Sequence, residues 1–195
     1  MDKLIAAFDK FDSYNKTDPH VCTWEGVTYP QEFFLALKLH EWVLQLSPNA
    51  SEELLLASRS QHIGRWEIPR SSYPDGRIPY LQWRKDLAKH HAALVTNILQ
   101  TVDYQSEQID RVTQIILKQR LKADPEVQVM ENALCLVFLQ FQYEDFHPKH
   151  EPDKMVNILK RSLQKMDEAG HLKALALQYS PQGMVYIREA LKQIN

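Results

Sequence analysis

The sequence predicts an all-α protein that forms one compact helical domain over residues 1–195. In several long segments, such as 30–46 and 79–101, apolar side chains recur at the three- and four-residue spacing of helices. Prolines stand where those segments begin, which is where a helix tolerates proline best. Strict alternation is missing, since the best strand candidate, 174–179, is too short. The length suits about one domain with a buried core.

Helix starts and capping residues divide the chain in order. The prolines that open helical segments are Pro30, Pro79, Pro125 and Pro181. Asp124 and Ser180 stand at the cap positions directly before two of these prolines. Asn49 or Ser51 can cap the helix predicted over 51–63. The periodic segments predict about eight helices, near 2–14, 30–46, 51–63, 79–101, 106–121, 125–143, 152–168 and 181–193.

Two long stretches are predicted to be irregular, 15–29 and 64–78. The second, GRWEIPRSSYPDGRIP, combines arginines and aromatic residues with several prolines. A loop of this length inside a compact domain is usually functional or disordered. The prolines and aromatic residues favour an ordered, functional loop.

Composition excludes several classes of protein. Hydrophobic residues make up 44% and charged residues 25%, with a net charge of −2, as in ordinary globular proteins. Such a charge gives no general attraction to nucleic acid or to an anionic membrane. No apolar run approaches the roughly 20 residues of a membrane span, and charges interrupt the first residues too often for a secretory signal. With only Cys22 and Cys135, the expected location is the reducing cytoplasm.

Three histidines and one glutamate form the candidate metal site: His40, His62, His91 and Glu131. They fall on separate predicted helices, and imidazole with carboxylate suits one divalent transition metal, namely zinc, iron, manganese or nickel. His90 is the alternative to His91, because adjacent helical residues point about 100° apart. Taken singly, each histidine is also compatible with packing in the core, and Glu131 with an exposed first turn.

Arginines and aromatic residues surround the candidate metal ligands. The candidate catalytic arginines are Arg59, Arg65 and Arg84, and the candidate ligand-binding group is Arg70, Trp66, Tyr80 and Trp83. A guanidinium fork matches two phosphate oxygens, and aromatic rings can stack on a base or sugar. The ordinary alternative is a solvated charged face, but between Arg65 and Arg84 the only acids are Glu67 and Asp75. The surplus of positive charge predicts a bound anion.

The order of these residues resembles the HD-domain metal-dependent phosphohydrolases over roughly 34–140. His40 corresponds to the first histidine of that family, SQHIGRW to its His-Asp doublet, and Glu131 to its final acid. The resemblance implies an HD-like helical fold with a divalent metal. Gln61 stands where the family has histidine, and His62 where it has aspartate. A dinuclear site would therefore lack its bridging carboxylate.

The stretches ASRSQHIGRWEIPR, YLQWRKDLAKHHA and ENALCLVFL also resemble domain of unknown function 4202. Together they lie within residues 57–139. That family brings no assigned reaction, so this resemblance implies membership and no chemistry.

The residues and the HD-like resemblance together predict a metal-dependent phosphohydrolase that acts on a nucleotide or another small phosphoester. The metal would lower the pKa of a bound water for attack on phosphorus, and the arginines would stabilise the developing charge. Two alternatives stay open. One is a metal-free module that holds a nucleotide or an RNA end; the other is a mononuclear iron enzyme that uses oxygen.

Overall fold

The computed structural model describes residues 2–194 and is built mostly of helices. The helices are α1 (Lys3–Asn15), α2 (Gln31–Leu46), α3 (Glu52–Ser60), α4 (Arg77–Gln100), α5 (Ser106–Ile116), α6 (Pro125–Phe141), α7 (Tyr143–Phe146), α8 (Pro152–Leu163), α9 (Glu168–Leu175) and α10 (Pro181–Lys192). Short 3₁₀ turns lie in the α3–α4 loop and after α7. All eight predicted helices are present, so the prediction of a compact, mostly α-helical protein is confirmed.

Capping side chains begin several helices as expected. Ser51 accepts a hydrogen bond from the backbone N–H of Leu54 at 3.1 Å, and the Asp124 carboxylate accepts from the first N–H groups of α6. Ser180 caps α10 in the same way. These bonds satisfy N–H groups that the helix itself leaves without partners.

A β-hairpin occupies most of 15–29, the first of the two stretches predicted to be irregular. Its strands are β1 (Val21–Trp24) and β2 (Val27–Pro30). Its turn residues, Glu25 and Gly26, both have positive φ, at 50° and 79°. Two-residue hairpin turns of type I′ require positive φ at both central residues, and Gly26 adopts it without steric cost. The hairpin signal was therefore a turn glycine between two short segments rich in β-branched and aromatic residues.

Two further boundaries differ from the prediction. Helix α5 ends at Ile116 and not near 121, because three of the next residues adopt left-handed backbone conformations that no α-helix can include. They are Lys118, Arg120 and Lys122, with φ of 54°, 59° and 75°. The predicted helix 152–168 is α8 alone, which ends at Leu163, and α7 and α9 were not predicted.

Helix α2 lies against α3 and α6, and α8 lies against α10. The most apolar helix, α6, buries side chains such as Met130 and Leu136 completely. This packing brings the start of α2, the end of α3, the turn after α5 and the inner face of α6 around one polar cavity. Across residues 2–194, no helix combines the length and the apolar character that a membrane span requires.

Candidate functional site

A cavity of about 460 Å³ lies between α2, α6 and α8, and the start of α4 contributes to its edge. The buried side chains of Glu32, Gln61 and Glu131 form part of its wall, whereas Tyr80 and Arg84 are exposed. The volume falls within the roughly 300–1,000 Å³ typical of small-molecule sites. The site can therefore enclose a small polar ligand.

Positive charge outnumbers negative charge on the cavity wall. The cationic side chains are Arg65, Arg84, Lys118 and Lys165, and the carboxylates are Glu32 and Glu131. The Arg65 guanidinium lies 5.7 Å from the centre of the Trp83 ring, and its Nε is 3.6 Å from a Glu32 oxygen. Within residues 2–194, Arg84 has no ion-pair partner. With His62 neutral, the lining carries a net positive charge that suits an anion.

Lys118 reaches the cavity from the turn after α5. Its φ of 54° is unfavourable for a residue with a side chain. Its Nζ lies 2.5 Å from one oxygen of the buried Glu131, and Lys165 Nζ lies 3.6 Å from the other oxygen. Burial acts to raise the pKa of Glu131, but the two lysines outweigh it and hold that pKa below its ordinary value. Glu131 is therefore an ionised anchor for two cations.

The pKa of Glu32 is shifted in the opposite direction from that of Glu131. It is 3% exposed at the start of α2, where its backbone N–H donates to the Asp18 carboxylate. Burial raises the pKa of Glu32 to about 7, although Arg65 acts against the change. The carboxyl group is therefore divided between its protonated and ionised forms near neutral pH.

Two histidines near the cavity are held in their neutral form. Burial, followed by the charge of Arg65, lowers the pKa of His62 well below its ordinary value. Burial likewise lowers the pKa of His91 to about 4. His91 Nδ1 lies 2.6 Å from the carbonyl oxygen of Ile63 and must donate to it. The buried Nε2 is therefore an acceptor, and it has no protein partner within the described residues 2–194. The ring centres of His62 and His91 are 5.8 Å apart.

Gly64 shapes the turn that carries these residues. Its φ is +67°, and a Cβ there would lie 2.5 Å from Leu94 Cδ1. Only glycine combines this conformation with so close an approach to α4. The turn consequently holds His62 and Arg65 against α4.

Comparison with protein families matches residues 5–187 to a domain of unknown function, DUF4202. The chain belongs to this family. The matched range includes every residue that lines the cavity. Searches among curated proteins and among solved structures found no match.

The DUF4202 fold brings five of the predicted site residues together at the cavity: His62, Arg65, Tyr80, Arg84 and Glu131. The other predicted residues lie elsewhere. His40 Nδ1 is 2.8 Å from Ser58 Oγ, and its ring packs against Phe8. Arg59 makes two 2.7 Å hydrogen bonds to Asp12, so an acid distant in sequence neutralises it.

The predicted aromatic and loop residues are mostly structural in this DUF4202 domain. Trp83 is buried, and its Nε1–H donates to the carbonyl oxygen of Ile68 at 2.9 Å. Arg70 donates to the carbonyl oxygens of Tyr73 and Pro74, and so closes its own loop. Trp66 packs against Tyr14, and neither Trp66 nor Arg70 lines the cavity.

The predicted metal ligands do not assemble in this domain. No three His, Cys, Asp or Glu side chains come together in a way that could hold a metal, as far as residues 2–194 are concerned. His40 is engaged by Ser58, Glu131 by two lysines, and the alternative ligand His90 by Glu67 at 2.8 Å. The donor set therefore does not fit a metal ion, and no metal-dependent step is derived from it.

Sequence reasoning missed three charged residues of the cavity, Glu32, Lys118 and Lys165. Glu32 carried a usable signal, since it shares the buried helical stripe of Leu35 and Leu39 at three- and four-residue spacing. An acid on an apolar stripe indicates a buried carboxyl group. Lys118 and Lys165 carried no such signal, because their proximity to Glu131 depends on how α5, α6 and α8 pack.

Proposed function

We propose that this DUF4202 protein binds a small phosphorylated ligand in the cavity. The observation that supports this most is the set of four cations around one cavity, opposed by two carboxylates: Arg65, Arg84, Lys118 and Lys165 against Glu32 and Glu131. A phosphate monoester carries nearly two negative charges at neutral pH, which matches the surplus. Partial burial makes each contact stronger than it would be on an open surface.

The four cations have different roles in this proposal. Arg84 and Arg65 make the direct contacts with phosphate, because a guanidinium group binds two oxygens at once. Stacking on Trp83 orients Arg65 before the ligand arrives. Lys118 and Lys165 are held by Glu131 and contribute longer-range attraction.

Isothermal titration calorimetry with inorganic phosphate and with a phosphate monoester tests the proposal. Arg84→Ala should weaken both about tenfold, because a charge-assisted contact contributes on the order of 1.5–3 kcal/mol. The matched control is Lys85→Ala, which removes the same charge from the next residue of α4, outside the cavity. If Arg84→Ala binds phosphate as tightly as the unmodified protein, or if phosphate does not bind at all, the proposal is wrong.

The second candidate is a metal-dependent phosphohydrolase with an HD-like order of helices. The specific support is that His62 and His91 are kept neutral, which is the form of imidazole that binds metals. The first proposal does not include catalytic turnover, because two other predicted metal ligands are already engaged: His40 by Ser58, and Glu131 by two lysines. Mass-spectrometric metal measurement on protein that has never met a chelator should give well under one equivalent of zinc, iron, manganese or nickel.

A full equivalent of metal would favour this second candidate. A phosphoester screen with added manganese, cobalt, nickel and iron should then give activity that His62→Ala abolishes. Iron, a coloured protein and oxygen dependence would instead favour the mononuclear iron enzyme.

A further inference from the structure

Three residues of the cavity wall each carry a buried hydrogen-bond acceptor that has no protein partner in residues 2–194. These acceptors are Asn15 Oδ1, Glu32 Oε2 and Gln61 Oε1, on side chains of residues that are 1%, 3% and 4% exposed. Buried polar atoms are nearly always hydrogen-bonded in folded proteins. Three exceptions on one cavity wall indicate a ligand that brings hydrogen-bond donors.

The direction of these groups is set by their other contacts. Gln61 Nε2 donates to the carbonyl oxygen of Ile116 at 3.0 Å, so the amide oxygen is the atom left without a partner. One oxygen of Glu32 lies near Arg65, and the other has no hydrogen bond. The acceptors come from three separate segments, α1, α2 and the end of α3. They therefore form one side of a site and are not a local turn.

Neutral donors such as hydroxyl groups suit these acceptors better than ammonium groups do. Cations already outnumber carboxylates around the cavity, and Arg65 lies 3.6 Å from Glu32, so a ligand ammonium would meet strong repulsion. A hydroxyl group is neutral, can donate to Gln61 or Asn15, and can accept from Arg65. A ligand with several hydroxyl groups can donate to acceptors on three side chains.

We propose that the ligand is a sugar phosphate, whose hydroxyl groups donate to Asn15, Glu32 and Gln61 while its phosphate contacts Arg65 and Arg84. This inference rests on the proposed function and adds that the group attached to the phosphate is a sugar. The same sugar phosphate occurs alone and within a nucleotide. A second cavity of about 390 Å³ shares Gln31, Leu35 and Phe146 with the first, so a nucleotide base has adjoining space.

Calorimetry with a matched ligand series tests the inference on the unmodified protein. Ribose 5-phosphate and pentyl phosphate carry the same phosphate on five carbons, but only the sugar has hydroxyl groups. Ribose 5-phosphate should bind at least about tenfold more tightly, and inorganic phosphate should bind with an affinity close to that of pentyl phosphate. Adenosine monophosphate, included in the same series, distinguishes the two sources of the sugar phosphate: tighter binding than ribose 5-phosphate assigns the ligand to nucleotides, and weaker binding to free sugar phosphates.

Substitutions then locate the hydroxyl contacts. Gln61→Met and Asn15→Leu keep side-chain size and remove the acceptor, so each should lower ribose 5-phosphate affinity about tenfold and leave pentyl phosphate affinity unchanged. Gln114→Met, at an exposed position outside the cavity, should change neither. If either variant is unfolded at the assay temperature, the ligand series on the unmodified protein still decides.

The two proposals fail in different ways. Equal binding of ribose 5-phosphate and pentyl phosphate overturns the sugar assignment and leaves phosphate binding intact. Absence of binding for inorganic phosphate and all esters overturns the proposed function, and the sugar assignment with it.

Discussion

Replacing Glu32 by glutamine should stabilise the protein at alkaline pH, because it removes a buried charge and keeps the shape of the side chain. Burial raises the pKa of Glu32 from its ordinary 4.5 to about 7. One pH unit of difference corresponds to about 1.4 kcal/mol, so the ionised carboxylate costs about 3 kcal/mol in the folded state above pH 7. Glutamine carries no charge at any pH and avoids that cost.

The sign of the pH dependence follows from proton binding. Between about pH 4.5 and 7 the folded protein keeps the Glu32 proton, whereas the unfolded chain has released it. The free energy of unfolding therefore falls as pH rises through this window. His91 acts in the opposite direction, since its pKa is lowered to about 4 and the unfolded chain takes up the proton first on acidification. Both proteins keep His91, so the difference between them reports Glu32 alone.

Urea denaturation from pH 4 to pH 8.5 measures the difference. Glu32→Gln should equal the unmodified protein near pH 4 and exceed it by about 3 kcal/mol at pH 8. Glu41→Gln is the matched control, because Glu41 is exposed on the same helix and, among residues 2–194, pairs only with Lys38. The effect should therefore stay below about 1 kcal/mol. A Glu32→Gln protein that is less stable than the unmodified one at pH 8 would refute the reasoning, and would mean that the ionised carboxylate stabilises the fold.

Two further predictions concern backbone conformation and can be measured by the same denaturation assay. Arg120→Gly should stabilise the protein by up to about 1 kcal/mol, since its φ of 59° suits glycine. Lys118→Gly relieves the same backbone strain at a φ of 54°, but it should destabilise the protein by about 2 kcal/mol because the buried Glu131 loses an ion-pair partner. Equal effects at the two positions would contradict the role given to Lys118. Gly64→Ala should lower the free energy of unfolding by about 2 kcal/mol more than Gly26→Ala does. Both glycines have positive φ, but only the Cβ at Gly64 would meet a neighbour, Leu94 Cδ1 at 2.5 Å. Equal losses would mean that α4 moves aside freely.

Several elements of the fold could be predicted from sequence because their causes are local. Helix periodicity, the cap at Ser51 and the cap with proline at Asp124–Pro125 act within a few residues, and the structure confirms them. The hairpin was missed because its strands are only four residues long, although the turn at Glu25–Gly26 was a usable signal. The early end of α5 had no comparable signal, since lysine and arginine are ordinary helix residues.

The sequence by itself determined the helical class and the family, and it indicated that His62, Arg65, Arg84 and Glu131 belong to one site. Each of these is a property of residue types in order along the chain. Tertiary structure alone decided which of the charged groups meet. Asp12 neutralises Arg59, and two lysines from other segments form ion pairs with Glu131. The positive charges left at the cavity are those on which the proposal of phosphate binding rests. Such pairings join residues 13, 34 and 47 positions apart, and no spacing rule along a helix relates them.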